Sequence, residues 1–152
     1  MSPGLLQAAI PLLALILING LLAMAEIAVV SARKARLQQL SNQGNAKARL
    51  ALELATHPAD FLSTVQIGIT LVGILAGAFG GATIAKSIAA SLESIPWLAP
   101  YSEAIGVFLV VLLITYFSLV LGELVPKRLG LSNAELIASS AAAPMRFLTR
   151  LT

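Results

Sequence analysis

Three long runs of apolar residues dominate the chain, and each is long enough to cross a bilayer as a helix. They cover residues 5–30, 61–85 and 103–125. About 20 apolar residues suffice for a helix to span the hydrocarbon core. The first run has no positively charged start and is too long for the core of a cleaved signal peptide, so we interpret it as a retained span. The pattern predicts an all-α membrane protein with three transmembrane helices.

Amphipathic segments flank these runs. In residues 33–57 leucines are interspersed with cations and amides, and the polar stretch 41–45 interrupts them, which predicts two short helices along the membrane surface. Pro58 ends the second of them, because the residue before a proline avoids the helical region. Residues 86–102 are punctuated by serines and prolines and are predicted to form a loop. Residues 132–150 predict one more amphipathic helix after the last span.

Composition supports a membrane domain and excludes several classes of function. The 152 residues are 58% hydrophobic and 11% charged, and the mean hydropathy is +0.91. A soluble domain of this length would have too little polar surface to cover such a core. There is no Cys, which excludes disulfides and thiolate metal ligands. There is also no Ser/His/Asp set or phosphate-binding loop, and one His cannot build a zinc site alone, so we predict that the protein is not an enzyme.

The cations indicate topology and not a nucleic-acid partner. Of the ten Lys and Arg, five lie in residues 33–49, four lie in residues 127–150, and Lys86 lies between the second and third runs. Cytoplasmic loops of membrane proteins carry the excess of Lys and Arg. We therefore predict a multi-pass protein of the inner or plasma membrane, with its N-terminus outside and its C-terminus in the cytoplasm.

The third apolar run ends in the motif Leu121-Gly122-Glu123-Leu124-Val125-Pro126-Lys127. A charge at the bilayer centre costs about 2.5–3.5 kcal/mol, and a proline inside a helix costs about 3 kcal/mol. Both stand here within one turn, at or near membrane depth. Our hypothesis is that the helix breaks here and forms an ion site with Glu123 as the anionic ligand. The alternative is a surface ion pair of Glu123 with Lys127 or Arg128.

Polar residues in the other spans are further candidates. Gln66 and Thr70 are four residues apart on one face, and either ion binding or hydrogen bonding between helices would explain them. Glu26 shares a face with Asn19, two turns away. It is a candidate for the surroundings of the ion or for proton or Na⁺ coupling. The alternative is a structural anion that Lys127 or the backbone of the third span neutralises.

Three glycines recur every four residues in the second run, at Gly73, Gly77 and Gly81. Overlapping G-x-x-x-G units allow helices to approach closely in lipid. We predict a packing surface here, either a contact between two copies of the chain or a contact with the first span.

The motif of the third span is one of three ordered stretches. The others are residues 19–28, NGLLAMAEIA, and residues 62–71, LSTVQIGITL. Together they resemble the transmembrane domain of the CNNM/CorC family of magnesium transporters. The resemblance implies a homodimer with three spans per protomer, surface helices after the first span, a belt-like helix after the third, and cytoplasmic CBS domains beyond residue 152.

The resemblance also implies an activity, which is the export of Mg²⁺ with Na⁺ as the driving ion. In the family a dehydrated Mg²⁺ is held by a Ser of the first span, by polar groups of the second and by the Gly-Glu of the third. Carried over to this chain, Gly122 would offer a carbonyl and Glu123 a carboxylate.

Two positions depart from the family pattern. Ala25 stands where the family has a Ser before the Glu, and Ile69 stands where some transporting members have Asn. Mg²⁺ prefers near-octahedral oxygen ligands at about 2.1 Å and gives up water reluctantly. With fewer protein oxygens the site would keep more water, select another ion or not transport, although Gln66 and Thr70 are candidate replacements. A second hypothesis is therefore a membrane anchor and sensor that dimerises and tethers CBS domains without transport of its own.

Overall fold

The computed structural model describes residues 3–152, and Met1 and Ser2 of the predicted domain lie outside this range. The described residues form helices and turns without a strand, as the fold class predicts. The seven helices are α1 Pro3–Ser31, α2 Lys34–Asn42, α3 Ala46–Thr56, α4 Pro58–Glu93, α5 Ser102–Leu119, α6 Val125–Ser132 and α7 Ala134–Leu151. A 3₁₀ turn, Ala99–Tyr101, precedes α5, and a π-helical turn, Val120–Leu124, joins α5 to α6.

Three helical stretches are long and apolar enough to cross a membrane: Pro3–Ser31, Pro58–Glu93 and Ala99–Ser132. The two short helices α2 and α3 lie between the first and second of these stretches, where the amphipathic pattern places them. Asn45 starts α3, because its side-chain oxygen accepts a hydrogen bond from the Ala48 N–H at 3.0 Å. Gly44 before it has a φ of +88°, which favours glycine.

The second span is longer than predicted, because α4 continues to Glu93 through residues expected to form a loop. Serine is not by itself a stop signal for a helix. The Ser87 hydroxyl donates to the Thr83 carbonyl at 3.3 Å, and the Ser91 hydroxyl donates to the Ser87 carbonyl at 3.1 Å. These local bonds satisfy the polar side chains without ending the helix. The prediction of a loop beginning at residue 86 was therefore wrong by two turns.

The sequence predicted that the third span breaks at the Gly-Glu motif, but the helical stretch continues through it. The chain continues from α5 into α6 through the π turn, where the Val125 N–H donates to the carbonyl of Val120, five residues earlier. Pro126 lies in the first turn of α6, and its missing N–H is compensated by a side chain of α1, as described below. The discontinuity is thus one widened turn within a continuous helical stretch.

The main core lies where α1 ends and α4 begins, and there α2, α3 and α7 pack around both helices. Leu37 and Phe61 are fully buried in it, surrounded mainly by alanines. Two ion pairs join its outer side, Arg33 to Glu135 at 3.3 Å and Arg146 to Glu53 at 3.4 Å. Exposed pairs of this kind contribute about 0.2–1 kcal/mol. Apolar burial therefore stabilises this part of the structure. We call it the base of the bundle, and it comprises α2, α3, α7, the end of α1 and the start of α4.

Glycines set the distance between α1 and the end of the third span. A Cβ atom on Gly20 would lie 2.9 Å from both the Leu121 oxygen and Cγ of Pro126. A Cβ atom on Gly130 would lie 2.8 Å from the Met24 oxygen. The two helices therefore touch backbone to backbone along this contact.

Gly73, Gly77 and Gly81 do not take part in such a contact within the described residues. A Cβ atom at any of the three positions would have no heavy atom within 4 Å. The first span therefore does not pack closely against them, and that alternative was wrong. The other alternative, a contact between two copies of the chain, stays a prediction.

Candidate cation site

The site begins with a backbone carbonyl that the sequence leaves without its usual partner. In an α-helix the Gly122 carbonyl would accept from the N–H four residues later, but that residue is Pro126, which has none. The Asn19 side chain supplies the missing donor, since its Nδ2 lies 3.1 Å from the Gly122 oxygen. Gly122 leaves room for this approach, because a Cβ atom there would stand 3.2 Å from the same nitrogen.

Asn19 also carries a buried acceptor that the fold does not satisfy. Its Oδ1 is buried and has no hydrogen-bond partner among residues 3–152. A buried amide oxygen usually has a donor, an ordered water or a cation. Amide oxygens are hard ligands of the kind that Mg²⁺ and Na⁺ prefer.

A cavity of about 330 Å³ opens beside this amide, between α1, α4 and α5. Its polar lining consists of Asn19, Thr115, Ser118 and Glu123. Gly73 and Gly77 line the side formed by α4, so the glycines that pack against nothing leave space for this cavity.

Glu123 belongs to this cavity and also makes the ion pair that the alternative predicted. Lys127 Nζ lies 2.8 Å from its Oε1, and the side chains of Glu123 and Lys127 are 44% and 36% exposed. Arg128 is not the partner. A half-exposed pair four residues apart on one helix is weak, about 0.2–1 kcal/mol. The pairing therefore leaves Glu123 open to exchange with another cation.

The other predicted site residues lie elsewhere. Glu26, Gln66 and Thr70 line a separate groove of about 710 Å³ along α1 and α4, together with Ser63. Glu26 makes no ion pair within residues 3–152. Lys127, its predicted partner, pairs with Glu123 instead. Of the five predicted site residues, Gly122 and Glu123 therefore lie in the π turn. Glu26, Gln66 and Thr70 lie together in the groove.

The two departures from the family pattern lie in the apolar core and not in the cavity. Ala25 is 2% exposed within the core at the base, and Ile69 packs against that core. Within the described residues no three His, Cys, Asp or Glu side chains come together as a metal centre. A cation at Glu123 would therefore depend on amide, hydroxyl and carbonyl oxygens and on retained water.

Sequence reasoning missed Thr115, Ser118 and the bond from Asn19. One signal was present, because a proline four residues after Gly122 leaves that carbonyl free. The identity of the donor depended on how α1 packs, which the pattern of one helix does not contain.

The geometry defines a class of protein, namely a helical, three-span membrane domain with a cavity at a π turn that a carboxylate, an amide and two hydroxyls line. A comparison with protein families matches residues 10–152 to the cyclin M transmembrane N-terminal domain, CNNM. The chain belongs to this family, which is of membrane transporter type.

Curated relatives match over most of the chain. UPF0053 protein sll0260 of Synechocystis is 56% identical over 138 residues, which are 91% of this chain and 31% of the relative. The polyamine export protein of Haemophilus influenzae is 34% identical over 90% of this chain and 31% of its own length. The polyamine export protein of Escherichia coli K12 is 33% identical over 94% of this chain and 32% of its own length. The chain therefore spans about a third of the length of these relatives.

Proposed function

We propose that this domain binds a cation at Glu123 and carries it across the membrane. The observation that carries the proposal is the position of Glu123, which lines a cavity between three helices at the π turn together with Asn19, Thr115 and Ser118. Ionisable groups at membrane depth are rare, and they mark ion pathways more often than structural sites. The hydroxyls of Thr115 and Ser118 line the same cavity and offer neutral oxygens to a cation.

The proposed cargo is Mg²⁺, exported in exchange for Na⁺, as the resemblance to magnesium transporters implies. One carboxylate and several neutral oxygens fit this ion if it keeps part of its water. Gln66 and Thr70 lie outside the cavity and are not expected among its ligands there.

A polyamine is a second candidate cargo. The Lys127 ammonium already lies 2.8 Å from Glu123, so this carboxylate accepts a protonated primary amine in the folded chain. Two of the relatives carry the name polyamine export protein. A polyamine would place one of its ammonium groups where Lys127 now lies.

We further propose the surroundings in which the domain works. The segments that carry nine of the ten cations follow the first and third spans, and α2, α3 and α7 meet at the base, which supports a cytoplasmic base in the inner or plasma membrane. A homodimer is part of the proposal, as the resemblance to the family implies. Cytoplasmic CBS domains of the same protein are the proposed regulatory partner, as the resemblance implies.

The competing function is an anchor that tethers such domains without transport. Apolar Ala25 and Ile69 favour it, because the oxygen ligands that the family has there are replaced by core packing.

Flux measured in proteoliposomes with imposed gradients of Mg²⁺, Na⁺ or spermidine separates these functions. We expect flux that Glu123→Gln abolishes and that Glu103→Gln leaves unchanged. Glu103 is a matched control, since it lies on α5 but lines a different depression. If no cation moves, the transport proposal fails and the anchor stands. If both variants move a cation as the unaltered protein does, the domain transports but Glu123 is not part of its pathway, and the assignment of the site fails.

A further inference from the structure

We infer that a pocket at the base of the bundle binds the headgroup of a zwitterionic aminophospholipid, which carries one phosphodiester and one primary ammonium group. The pocket lies between the end of α3, the start of α4 and the last turns of α7, and its volume is about 220 Å³. It shares no lining residue with the cavity of Glu123 or with the groove of Glu26. The inference goes beyond the proposed function, since it requires neither transport nor a cation at Glu123.

Polar side chains dominate the lining of this pocket. Two carboxylates, two guanidinium groups, an imidazole and a hydroxyl surround it, and the buried side chains of Leu54 and Phe61 are its apolar members. The polar residues are Glu53, His57, Asp60, Arg146, Thr149 and Arg150. Because the formal charges of the acids and the arginines cancel, the pocket is complementary to a ligand that carries both signs of charge.

One ion pair within the pocket leaves one charge of each sign for a ligand. Arg146 Nη1 lies 3.4 Å from Glu53 Oε2, so these two charges compensate each other. Arg150 and Asp60 belong to none of the three ion pairs within residues 3–152, and so they are not paired with each other. A guanidinium group presents its donors in a fork that matches a phosphate, and a carboxylate accepts hydrogen bonds from an ammonium group. A phosphate joined to an ammonium group therefore matches both residues.

Two neutral groups of the lining extend this match. His57 lies between α3 and α4, and its side chain does not cap α4, so an imidazole N–H can donate to a phosphate oxygen. The Thr149 hydroxyl donates to the Met145 carbonyl at 2.9 Å. Its oxygen can still accept a hydrogen bond from an ammonium group.

The pocket lies where a bilayer carries its headgroups, which favours a lipid over a soluble ligand. Helix α4 begins at Pro58, and its apolar run begins at Phe61, so the pocket stands at the edge of the hydrocarbon core. On α7, Phe147 and Leu151 each follow an arginine of the pocket, and both are exposed. Residues four apart form one row on a helix, so an apolar row runs beside the row of arginines. The acyl chains of a bound lipid would pack on this apolar row while its phosphate meets the arginines.

Native mass spectrometry of the purified protein in detergent, with short-chain lipids added, tests the inference. We expect phosphatidylethanolamine to bind about tenfold more tightly than phosphatidylcholine, whose trimethylated ammonium has no N–H for Asp60, or phosphatidylglycerol, which has no ammonium. Arg150→Gln and Asp60→Asn should each weaken this binding about fivefold or more. Arg36→Gln and Glu93→Gln are the matched controls, because each removes the same charge outside the pocket, and both should bind the lipid as the unaltered protein does.

The comparison of the three lipids uses the unaltered protein, so it holds even where a variant does not fold. Equal affinity for phosphatidylethanolamine and phosphatidylglycerol would overturn the inference, because the ammonium group would then make no contact. An equal loss of binding in Arg36→Gln and Arg150→Gln would overturn it as well, since the pocket would not be the site. Soluble phosphoethanolamine should displace the lipid only weakly. Displacement at equal concentrations would assign the pocket to a soluble ligand and refute the choice of a lipid.

Discussion

Replacing Gly20 by Ala is expected to separate α1 from the π turn and to destabilise the domain. Gly20 is buried at the point where α1 crosses the end of the third span. The added methyl carbon would lie 2.9 Å from the Leu121 oxygen and 2.9 Å from Cγ of Pro126. One neighbour is backbone and the other belongs to a proline ring, so neither can rotate away.

The size of the effect follows from these contacts. Favourable contacts between carbon atoms lie at about 3.5–4.0 Å, so the new methyl would overlap Cγ of Pro126 by about 0.6 Å or more, and it would also lie closer to the Leu121 oxygen than Cβ atoms normally do. Overpacking of a well-packed site costs about 1–3 kcal/mol. The higher helix propensity of Ala returns up to about 1 kcal/mol of this cost. We expect a net loss of about 1–2 kcal/mol, with a lower affinity for cations at Glu123, because Gly122 moves with the π turn.

Thermal unfolding in detergent measures this loss, and Gly73→Ala is the matched control. Gly73 is also a helical glycine, but a Cβ atom there meets no heavy atom within 4 Å. For a chain of this size, 1–2 kcal/mol corresponds to a decrease in Tm of about 2–8 °C. Equal melting temperatures for Gly20→Ala and Gly73→Ala would refute the idea that this crossing is closely packed.

Three further predictions concern the cavity and the base. Lys127→Met removes the ammonium that competes for Glu123, so cations should bind there about 1.5- to 5-fold more tightly; an unchanged affinity in a binding titration would contradict this. Gly77→Leu should fill the cavity and abolish flux, whereas Gly81→Leu, outside its lining, should not; flux in both variants would remove the cavity from the pathway. The pKa of Glu135 lies below its ordinary value, first because its own backbone N–H donates a hydrogen bond to the carboxylate and second because Arg33 contacts it. Its contribution to stability should therefore be present above about pH 4.3 and be lost as the pH falls through the lowered native pKa, and Tm measured against pH should show that Glu135→Gln lacks this dependence.

Sequence reasoning was most successful where one helix carries all the information. The three spans and the two short helices follow from runs of apolar residues and from the turn at Gly44, because length and local backbone preference decide them. The end of α4 was missed, since Ser87 and Ser91 can bond to their own helix and so need no loop.

The candidate site was less predictable, because it forms between helices. Periodicity places Gln66 and Thr70 on one face of α4, but only packing determines that Glu26 faces them and Glu123 does not. The same limit applies to Asn19. Its bond to Gly122 links residues 103 positions apart, and no local pattern specifies such a pair.

The π turn also fixes which side of the last membrane-crossing stretch meets its neighbour. An α-helical turn in its place would hold one residue fewer, and everything after it would rotate about the helix axis by about 100°. Pro126 would then no longer pack against Gly20, and Gly130 would no longer pack against Met24. The extra residue of the π turn thus sets the rotation of α6 and α7 about the helix axis relative to Glu123. Deletion of a single residue from this turn would therefore misalign the base without removing any of its side chains.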